Sequence, residues 1–190
     1  MSVKILLVSL FLIFSAPVGQ TNACSKNSHE NTQATEMEIR IKKYVSKYKK
    51  RFKNHSHFSF VDYRIPIHKE RFFVYDLKEE KIIFSTFVGH AYKSGEYFPD
   101  DTSNTPDTKK TSIGLFRVGK QYYGNFGKSK RLHGLEKTNS NAYRRAIVAH
   151  SMSGIMPSDL YSWGCFTFFE GDLEVVFNFM KKGSYLLAVK

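Results

Sequence analysis

The chain has 190 residues, of which 42% are hydrophobic and 24% are charged. These values fit one globular domain with a single core and leave no room for a second large domain. The formal net charge of +12 suits nucleic acid, an anionic cell surface or an acidic substrate, and its sign alone does not choose among them. Aromatic residues make up 15% of the chain and occur with Val and Ile in short runs, which favours a mainly β protein.

The first 23 residues have the three parts of a secretory signal peptide. A short positive start ends in Lys4, residues 5–14 are almost wholly apolar, and residues 15–23 are small or polar. The apolar run is too short for a comfortable membrane span, so we interpret residues 1–23 as a cleaved signal peptide. We therefore expect an exported protein of the cell envelope, in the periplasm or otherwise outside the cytoplasm, with no nucleic acid as its partner.

Cys24 follows the predicted cleavage site, and the chain has only one other cysteine, Cys165. Ala23 suits ordinary cleavage as well as lipid modification of Cys24, but Thr21 stands where lipoprotein signals usually have an apolar residue. We favour ordinary cleavage and expect a lipoprotein, attached to the membrane, only if Cys24 is lipidated. A disulfide between the two cysteines is the third alternative, and it would tie a flexible terminus to the site described below.

Two segments precede the predicted domain. Residues 24–35 are polar and unpatterned, so we predict a linker. Residues 36–55 combine apolar residues at three- and four-residue steps with many Lys and Arg, which predicts a basic amphipathic helix. Its basic face is either solvated or attracted to an anionic envelope polymer or lipid surface. The apolar positions of this helix are Met37, Ile41, Tyr44, Val45, Tyr48 and Phe52.

Residues 56–190 form the predicted domain, in which short apolar runs alternate with turns. Lys78-Glu79-Glu80 indicates a hairpin, so part of the sheet is predicted to be antiparallel. Residues 92–111 and 121–143 are rich in Gly and polar residues and are predicted to be long loops. A helix is predicted from the spacing of Leu173, Val176, Phe177 and Met180. The predicted strands are residues 58–63, 72–77, 82–88, 113–118, 146–149 and 184–189.

Three short motifs of other protein classes lack the context that they require. The Ser-x-x-Lys match at residues 46–49 has no accompanying Ser-Asp-Asn motif. Residues 127–129 end like a phosphate-binding loop, but Tyr122 occupies the position of the first Gly. His55 and His57 have no further obvious ligands, so we expect no metal site.

Cys165 and His150 are the residues with the clearest catalytic potential. A thiol becomes a useful nucleophile when a nearby base takes its proton, and Gly164 beside it leaves room for a carbonyl substrate. Taken singly, a buried structural thiol and a satisfied core histidine are the commoner interpretations. Both residues lie at the ends of apolar runs beside a loop, where site residues are usually found.

The surroundings of this pair resemble a known family. Residues 141–150, Asn-Ala-Tyr-Arg-Arg-Ala-Ile-Val-Ala-His, followed by Ser162-Trp163-Gly164-Cys165, look like the catalytic signature of the L,D-transpeptidase catalytic-domain family of murein enzymes. The likeness covers about residues 58–189. Further segments are similar to that family's strands and loops in the same order, namely residues 60–63, 71–77, 104–106, 112–116 and 131–136.

The resemblance implies a β-sandwich-like domain with its site between sheet and loops, and acyl transfer on peptidoglycan stem tetrapeptides. In this interpretation Cys165 attacks the carbonyl of the third residue and expels the terminal D-Ala, with His150 as general base. Backbone N–H groups near Gly164 and Cys165 hold the oxyanion, and Ser162 orients the loop. Attack by the side-chain amine of a second stem gives a 3→3 cross-link, whereas water gives an L,D-carboxypeptidase. Peptidoglycan stem peptides are the expected partner, the protein is expected to be a monomer, and no metal or organic cofactor is implied.

The chain departs from the family pattern next to both residues. Many relatives have Gly where this chain has Ser151, and His where it has Trp163. Phe166 and Thr167 replace the apolar-Arg pair common after the Cys, which leaves open how the substrate carboxylate is held. Ser151 and Trp163 at these departures, and His133 in a Gly-flanked loop that could approach the site, are the candidate substrate-binding residues. Cross-linking, trimming and protein attachment stay open as roles, and so does a non-catalytic envelope module that binds peptidoglycan.

Overall fold

The structure is a computed structural model that describes residues 23–190, with side chains from residue 35 onward. The predicted signal peptide lies outside this part apart from its last residue, and so does the side chain of Cys24. Within the described part, no helix combines the length and the hydrophobicity that crossing a membrane requires.

Strands dominate the described chain. Their short apolar runs are rich in Phe, Val, Tyr and Leu, which favour extended backbone. In chain order the helices and strands are α1 (Ala23–Lys47), α2 (Lys49–Phe52), β1 (His57–Asp62), β2 (Phe72–Asp76), β3 (Lys81–Thr86), β4 (Gly114–Gly124), β5 (Gly127–Gly134), β6 (Val148–Met152), β7 (Phe166–Phe169), α3 (Glu170–Phe179) and β8 (Tyr185–Val189). Short 3₁₀ turns occur at Tyr92–Ser94 and Pro157–Leu160.

All of these strands belong to one sheet, in the spatial order β3-β2-β1-β8-β4-β5-β6-β7. Neighbouring strands are antiparallel except for two parallel pairs, β1 with β8 and β6 with β7. The mainly β fold class and the partly antiparallel sheet predicted from the sequence are therefore confirmed. The predicted strands correspond to β1, β2, β3, β4, β6 and β8, with β4 extending further than predicted, to Gly124.

The sheet curls on itself, so that strands far apart in the sheet order meet in space. The rings of Phe72 in β2 and Phe168 in β7 lie 5.0 Å apart, and the N–H of Gly89 donates to the carbonyl of Thr167 at 2.8 Å. This closure gives the domain its sandwich-like character. The predicted C-terminal helix is confirmed as α3, and its apolar side packs inside the curl through the buried residues Leu173, Val176, Phe177 and Met180.

Helix α1 packs on the opposite face of the sheet. Its Met37 and Ile41 are buried in a second core cluster with Phe60 of β1 and Leu187 of β8. Arg40 adds a polar anchor, because its guanidinium donates to the carboxylate of the fully buried Asp62 at 2.7 Å. Burying apolar area and pairing a buried charge both favour the docked helix, so α1 is part of the domain's packing.

The N-terminal boundaries differ from the prediction. Residues 24–35, predicted as a linker, have helical backbone and belong to α1, which begins at Ala23. The predicted helix over residues 36–55 is two helices, because Tyr48 between them has φ −107° and ψ 17°. Residues 24–35 were predicted as a linker because they carry no apolar stripe, and helical backbone does not require one when a neighbouring segment docks on the sheet.

The predicted loop over residues 121–143 is also wrong in part, because it contains the end of β4 and the whole of β5. Strand β5 lacks the usual apolar-polar alternation, since Lys130 is buried where an apolar residue is expected. Its ammonium group donates to the carbonyls of Phe177 at 2.5 Å and Met180 at 2.8 Å, at the C-terminal end of α3. Burial lowers the pKa of Lys130 to about 8. A lysine at a helix C-terminus complements the helix dipole, which accounts for its place in the core.

Candidate active site

Strand register brings the two halves of the candidate site together. In the parallel pair β6–β7, Ala149 pairs with Phe166 and His150 with Thr167. Cys165, one residue before β7, therefore lies beside Val148. Alternate residues of a strand share a face, so Val148 and His150 lie on the same side of β6. The sheet thus sets the predicted nucleophile and the predicted base on adjacent strands, two positions apart along the register.

Cys165 as a residue is partly exposed, and its thiol forms no disulfide among the described side chains. Its Sγ donates to the carbonyl of Ala146 at 3.8 Å. Ala146 has φ +54°, a left-handed conformation that is costly for a residue with a side chain. Burial raises the pKa of the Cys165 thiol, while a hydrogen bond from the Val148 N–H and the charges of Arg131 and Arg145 oppose that rise. The thiol is consequently protonated at neutral pH and close to groups that stabilise its anion.

The imidazole of His150 is oriented by the neighbouring backbone. Its Nδ1 lies 2.7 Å from the carbonyl oxygen of Ser151. A carbonyl can only accept, so Nδ1 carries the proton and Nε2 is left with a lone pair. Burial is the main cause that lowers the pKa of His150, which keeps the ring neutral and able to accept a proton. Ser151 orients the imidazole through its carbonyl, and its role as a substrate-binding residue stays a prediction.

No hydrogen bond joins Cys165 to His150 among the described residues. The thiol is turned toward Ala146, and the imidazole is stacked on Phe126, with ring centroids 4.6 Å apart. The two groups lie on neighbouring strands and each has a different partner. Catalytic hydrogen bonds are often long or absent in ligand-free proteins and tighten when substrate binds.

The turn before Cys165 is fixed by the side chain of Ser162. Its Oγ donates to the carbonyl of Cys165 at 2.8 Å and accepts from the N–H of Gly164 at 3.1 Å. Gly164 has φ +126°, and a Cβ there would lie 2.9 Å from Cδ1 of Ile147, so the turn requires glycine. The predicted oxyanion donor, the Gly164 N–H, thus already has a partner in this conformation.

Trp163 projects from the same turn and is 70% exposed. The ammonium group of Lys109 lies 3.9 Å from the centroid of its ring, a cation–π contact between the turn and the preceding long loop. This exposed indole face stands beside the thiol turn, in a position open to a ligand.

Arg145 ties the long loop to the site, and sequence reasoning missed it. Its guanidinium donates to the carbonyls of Ser103 and Lys110 and to the hydroxyl of Ser112. Burial lowers the pKa of Arg145, and the nearby Cys165 opposes that shift. An arginine next to an apolar run, just before a candidate base, was the signal available in the sequence.

Arg71 and His90, which sequence reasoning also missed, hold the backbone of the turn at Ser162. Arg71 is fully buried, and its guanidinium donates to His90 Nδ1 at 2.7 Å and to the carbonyl of Val88 at 2.9 Å. His90 Nε2 donates to the carbonyl of Gly95 at 2.9 Å. The carbonyl of His90 in turn accepts from the N–H of Ser162 at 2.9 Å. Burial and the neighbouring Arg71 charge lower the pKa of His90 to about 4, so the His90 ring is neutral at pH 7.

His133 lies on β5 and not next to the thiol. Its ring stacks on Tyr143 with centroids 5.2 Å apart, and both residues line a cleft of about 590 Å³ between β4, β5 and the turn before β8. We call this cleft the basic cleft, because its lining includes Arg117, Lys120, Arg131, His133 and Lys182. Across residues 23–190, no group of three or more His, Cys, Asp or Glu side chains is arranged to hold a metal ion.

Comparison with known proteins identifies the family. The L,D-transpeptidase catalytic domain family matches residues 26–189. The chain therefore belongs to the L,D-transpeptidase catalytic-domain family, and this membership supports a peptidoglycan transpeptidase-type function. No curated protein has a significantly similar sequence.

The chain is similar to several solved structures at low sequence identity. Bd1075 from Bdellovibrio bacteriovorus is 13% identical, with a TM-score of 0.48 over 70% of this chain and 47% of that one. The helical cell shape determining protein Pgp2 from Campylobacter jejuni is 14% identical, with a TM-score of 0.47 over 71% and 48%. An L,D-transpeptidase from Stackebrandtia nassauensis is 11% identical, with a TM-score of 0.47 over 72% and 57%. The present chain thus spans about half the length of the proteins that it resembles.

Proposed function

We propose that the chain is a cysteine-dependent L,D-transpeptidase that acts on peptidoglycan stem tetrapeptides. The observation that carries this proposal is the hydrogen bond from His150 Nδ1 to the Ser151 carbonyl. It leaves Nε2 as a proton acceptor on the strand next to a partly exposed cysteine, in a chain that belongs to the L,D-transpeptidase family. Orienting a base through its second ring nitrogen is how thiol and hydroxyl nucleophiles are commonly activated.

In the first half-reaction, His150 Nε2 takes the proton of the Cys165 thiol as sulfur attacks the carbonyl carbon of the third stem residue. The tetrahedral intermediate collapses when the bond to the terminal D-Ala nitrogen breaks, and His150 returns the proton to the leaving amine. The product is a thioester on Cys165 and free D-Ala. Val148 N–H, Arg131 and Arg145 favour the anionic sulfur along this path.

In the second half-reaction, the side-chain amine of another stem attacks the thioester carbonyl. His150 accepts the proton of the attacking amine and returns it to sulfur as the thioester bond breaks, which gives a 3→3 cross-link and the free thiol. Water in place of the amine gives a tripeptide and makes the protein an L,D-carboxypeptidase. Both outcomes need the same two side chains and differ only in the acceptor.

The reaction requires two local changes at the thiol turn. The sulfur must leave the carbonyl of Ala146, to which it now donates. The oxyanion needs backbone donors, and the Gly164 N–H becomes one only if it is released by Ser162 Oγ. The first change breaks only one weak S–H···O contact of 3.8 Å.

We also propose that the protein works in the cell envelope, where this substrate occurs. The signal-like residues 1–23 support export, with ordinary cleavage after Ala23 favoured and lipid attachment at Cys24 as the alternative that would tie the protein to a membrane. Mass spectrometry of the protein isolated from its own cells tests both ideas, since it distinguishes an intact N-terminus, an ordinary cleaved one and a lipidated Cys24. An intact N-terminus on the isolated protein would contradict export through this signal.

The activity test is incubation of the purified protein with disaccharide-tetrapeptide, followed by mass spectrometry. We expect release of D-Ala and a cross-linked dimer, both lost in Cys165→Ala and in His150→Ala. Ser151→Ala is the matched control, because it keeps the carbonyl that orients His150, and we expect it to retain most of the activity.

The products also separate the alternatives. D-Ala release with tripeptide and no dimer would identify a carboxypeptidase. A folded protein that releases no D-Ala, does not alkylate at Cys165 and still binds sacculi would be the non-catalytic module, and the proposed function would be wrong. Full activity in Cys165→Ala would exclude the assigned nucleophile.

A further inference from the structure

The basic cleft shares one face of the sheet with the candidate active site. In the antiparallel pair β5–β6, Ser129 pairs with His150 and Arg131 with Val148. Alternate residues of β5 share a face, so Arg131 and His133 follow Ser129 along the side of the sheet that carries His150. A ligand that extends from Cys165 across β5 therefore passes Arg131 and enters the cleft.

Aromatic rings hold the inner wall of the cleft in place. The guanidinium of Arg131 lies 4.8 Å from the ring centroid of Tyr122 and 5.6 Å from that of Tyr143. His133 stacks on the same Tyr143 ring, with planes 15° from parallel. Stacking on rings fixes a guanidinium while leaving its N–H edge free to bind an anion.

Gly119 provides the space that His133 occupies. A Cβ at this position would lie 2.8 Å from His133 Nε2 and 3.0 Å from the carbonyl of Arg131. Any larger residue would push the imidazole out of the cleft. The cleft is thus built by specific residues of β4 and β5 and is not a gap between surface lysines.

The charge of the cleft is of one sign. None of the described residues that line it is acidic, and Arg117, Lys120 and Lys182 form no ion pair within residues 35–190. Unpaired cations around a concave surface concentrate the field and attract anions. The volume of about 590 Å³ suits a peptide of a few residues and not a long polymer.

We propose that the basic cleft binds the carboxylate groups of the peptide whose carbonyl is attacked at Cys165. This inference rests on the proposed function and deepens it, because it assigns a subsite to the substrate. Arg131 bridges the two sites, and Arg117, Lys120 and Lys182 form the far side of the cleft. The subsite also answers how an acidic peptide is held in a chain that has Thr167 in place of the arginine of the family pattern.

The test separates binding from turnover. In a Cys165→Ala background, calorimetry measures the Kd of a stem tetrapeptide and of the same peptide with all its carboxylates amidated. The variant Arg117→Gln/Lys120→Gln/Lys182→Gln is expected to bind the free peptide about tenfold more weakly, the effect of a few partly exposed ion pairs, and the amidated peptide unchanged. Lys43→Gln/Lys50→Gln/Lys53→Gln removes the same charge from the exposed α1–α2 surface and is expected to change neither Kd.

Several results would overturn the subsite. One is an equal loss in the α1–α2 variant, which would mean that only the overall field matters. Another is equal binding of the free and the amidated peptide. A third would come from calorimetry of the cleft triple variant with inorganic polyphosphate. If this variant lost polyphosphate binding but kept peptide binding, the cleft would be assigned to a polymeric anion. Thermal unfolding of both triple variants checks that each remains folded.

The outcome is independent of the activity assay. A wild-type protein that releases no D-Ala but shows the expected difference in Kd keeps the subsite and loses the proposed function. Normal D-Ala release with unchanged Kd values keeps the function and removes the subsite.

Discussion

Phe126 covers the imidazole of His150, with ring centroids 4.6 Å apart and planes 19° from parallel. Phe126 stands between the end of β4 at Gly124 and the start of β5 at Gly127, at the tip of their hairpin. His150 is left only 2% exposed. The hairpin tip therefore controls both the solvation of the proposed base and its access to substrate.

Removing this cover tests that relationship. In Phe126→Ala the imidazole gains water, so we expect the pKa of His150 to rise toward its ordinary value, because burial is the main cause of its depression. The acid limb of the activity profile should move to higher pH with it. Titration of the imidazole resonances by NMR measures the shift directly. Tyr123→Ala, at an exposed position of the same hairpin, is the control and should leave the titration of His150 unchanged.

Arg131 is expected to stabilise the Cys165 thiolate. Removing its charge in Arg131→Gln raises the thiol pKa further, because Arg131 is one of the groups that oppose the effect of burial. We expect alkylation of Cys165 by iodoacetamide at pH 8 to slow by a few-fold to about tenfold, with its inflection at higher pH. Peptide mapping by mass spectrometry keeps the signal of Cys165 separate from that of Cys24.

The exposed neighbour Arg144 supplies the comparison. Arg144→Gln removes the same charge from the surface, and it should leave the alkylation profile of Cys165 within about twofold of wild type. Identical profiles for wild type and Arg131→Gln would show that Arg131 does not act on the thiol.

Residue patterns predicted most of the sheet, whereas its sandwich-like closure was predicted only through the family resemblance. Short apolar runs of Phe, Val and Tyr mark β1 and β2, whose two faces are both buried. Strand β5 was missed because buried Lys130 replaces the expected apolar residue, and its reason, the C-terminal carbonyls of α3, lies 47 residues away in the chain. Long-range partners of this kind leave no local pattern.

In the candidate site, too, residues with visible chemistry were predicted and residues that act through long-range contacts were not. Cys165 and His150 were identified from residue type and family resemblance, since their chemistry is visible in the sequence. Arg71 and His90 were missed, because their role is to hold the backbone at Ser162 through contacts between distant loops. The contribution of Ser151 is a carbonyl, which every residue type possesses, so no side-chain pattern could have predicted it.

Gly164 is expected to be required for the thiol turn. Gly164→Ala places a Cβ at φ +126° and 2.9 Å from Ile147 Cδ1, and this strain should lower the free energy of unfolding by about 2 to 3 kcal/mol. Urea denaturation measures the loss, and Cys165 alkylation should change as the turn moves. Gly171→Ala is the matched control, because nothing lies within 4 Å of the new Cβ and the position is helical. There we expect a gain of up to about 1 kcal/mol.

His90 should make the fold sensitive to mild acid. Its pKa is about 4 in the folded protein against an ordinary 6.5, so between these values the unfolded chain binds more protons than the folded one. Stability is therefore complete above pH 6.5 and falls as the pH decreases toward 4. From pH 7.5 to pH 5 the protonation of His90 should lower the free energy of unfolding by about 2 kcal/mol, and His150 adds to the loss in the same direction.

The measurement is urea denaturation at the two pH values. His90→Gln keeps an acceptor for Arg71 and a donor for Gly95 but cannot titrate. Between pH 7.5 and pH 5 its free energy of unfolding should therefore fall by about 2 kcal/mol less than that of wild type. His68→Gln, at an exposed position, should retain the full wild-type loss. A His90→Gln protein that loses as much stability as wild type would show that the acid sensitivity has another origin.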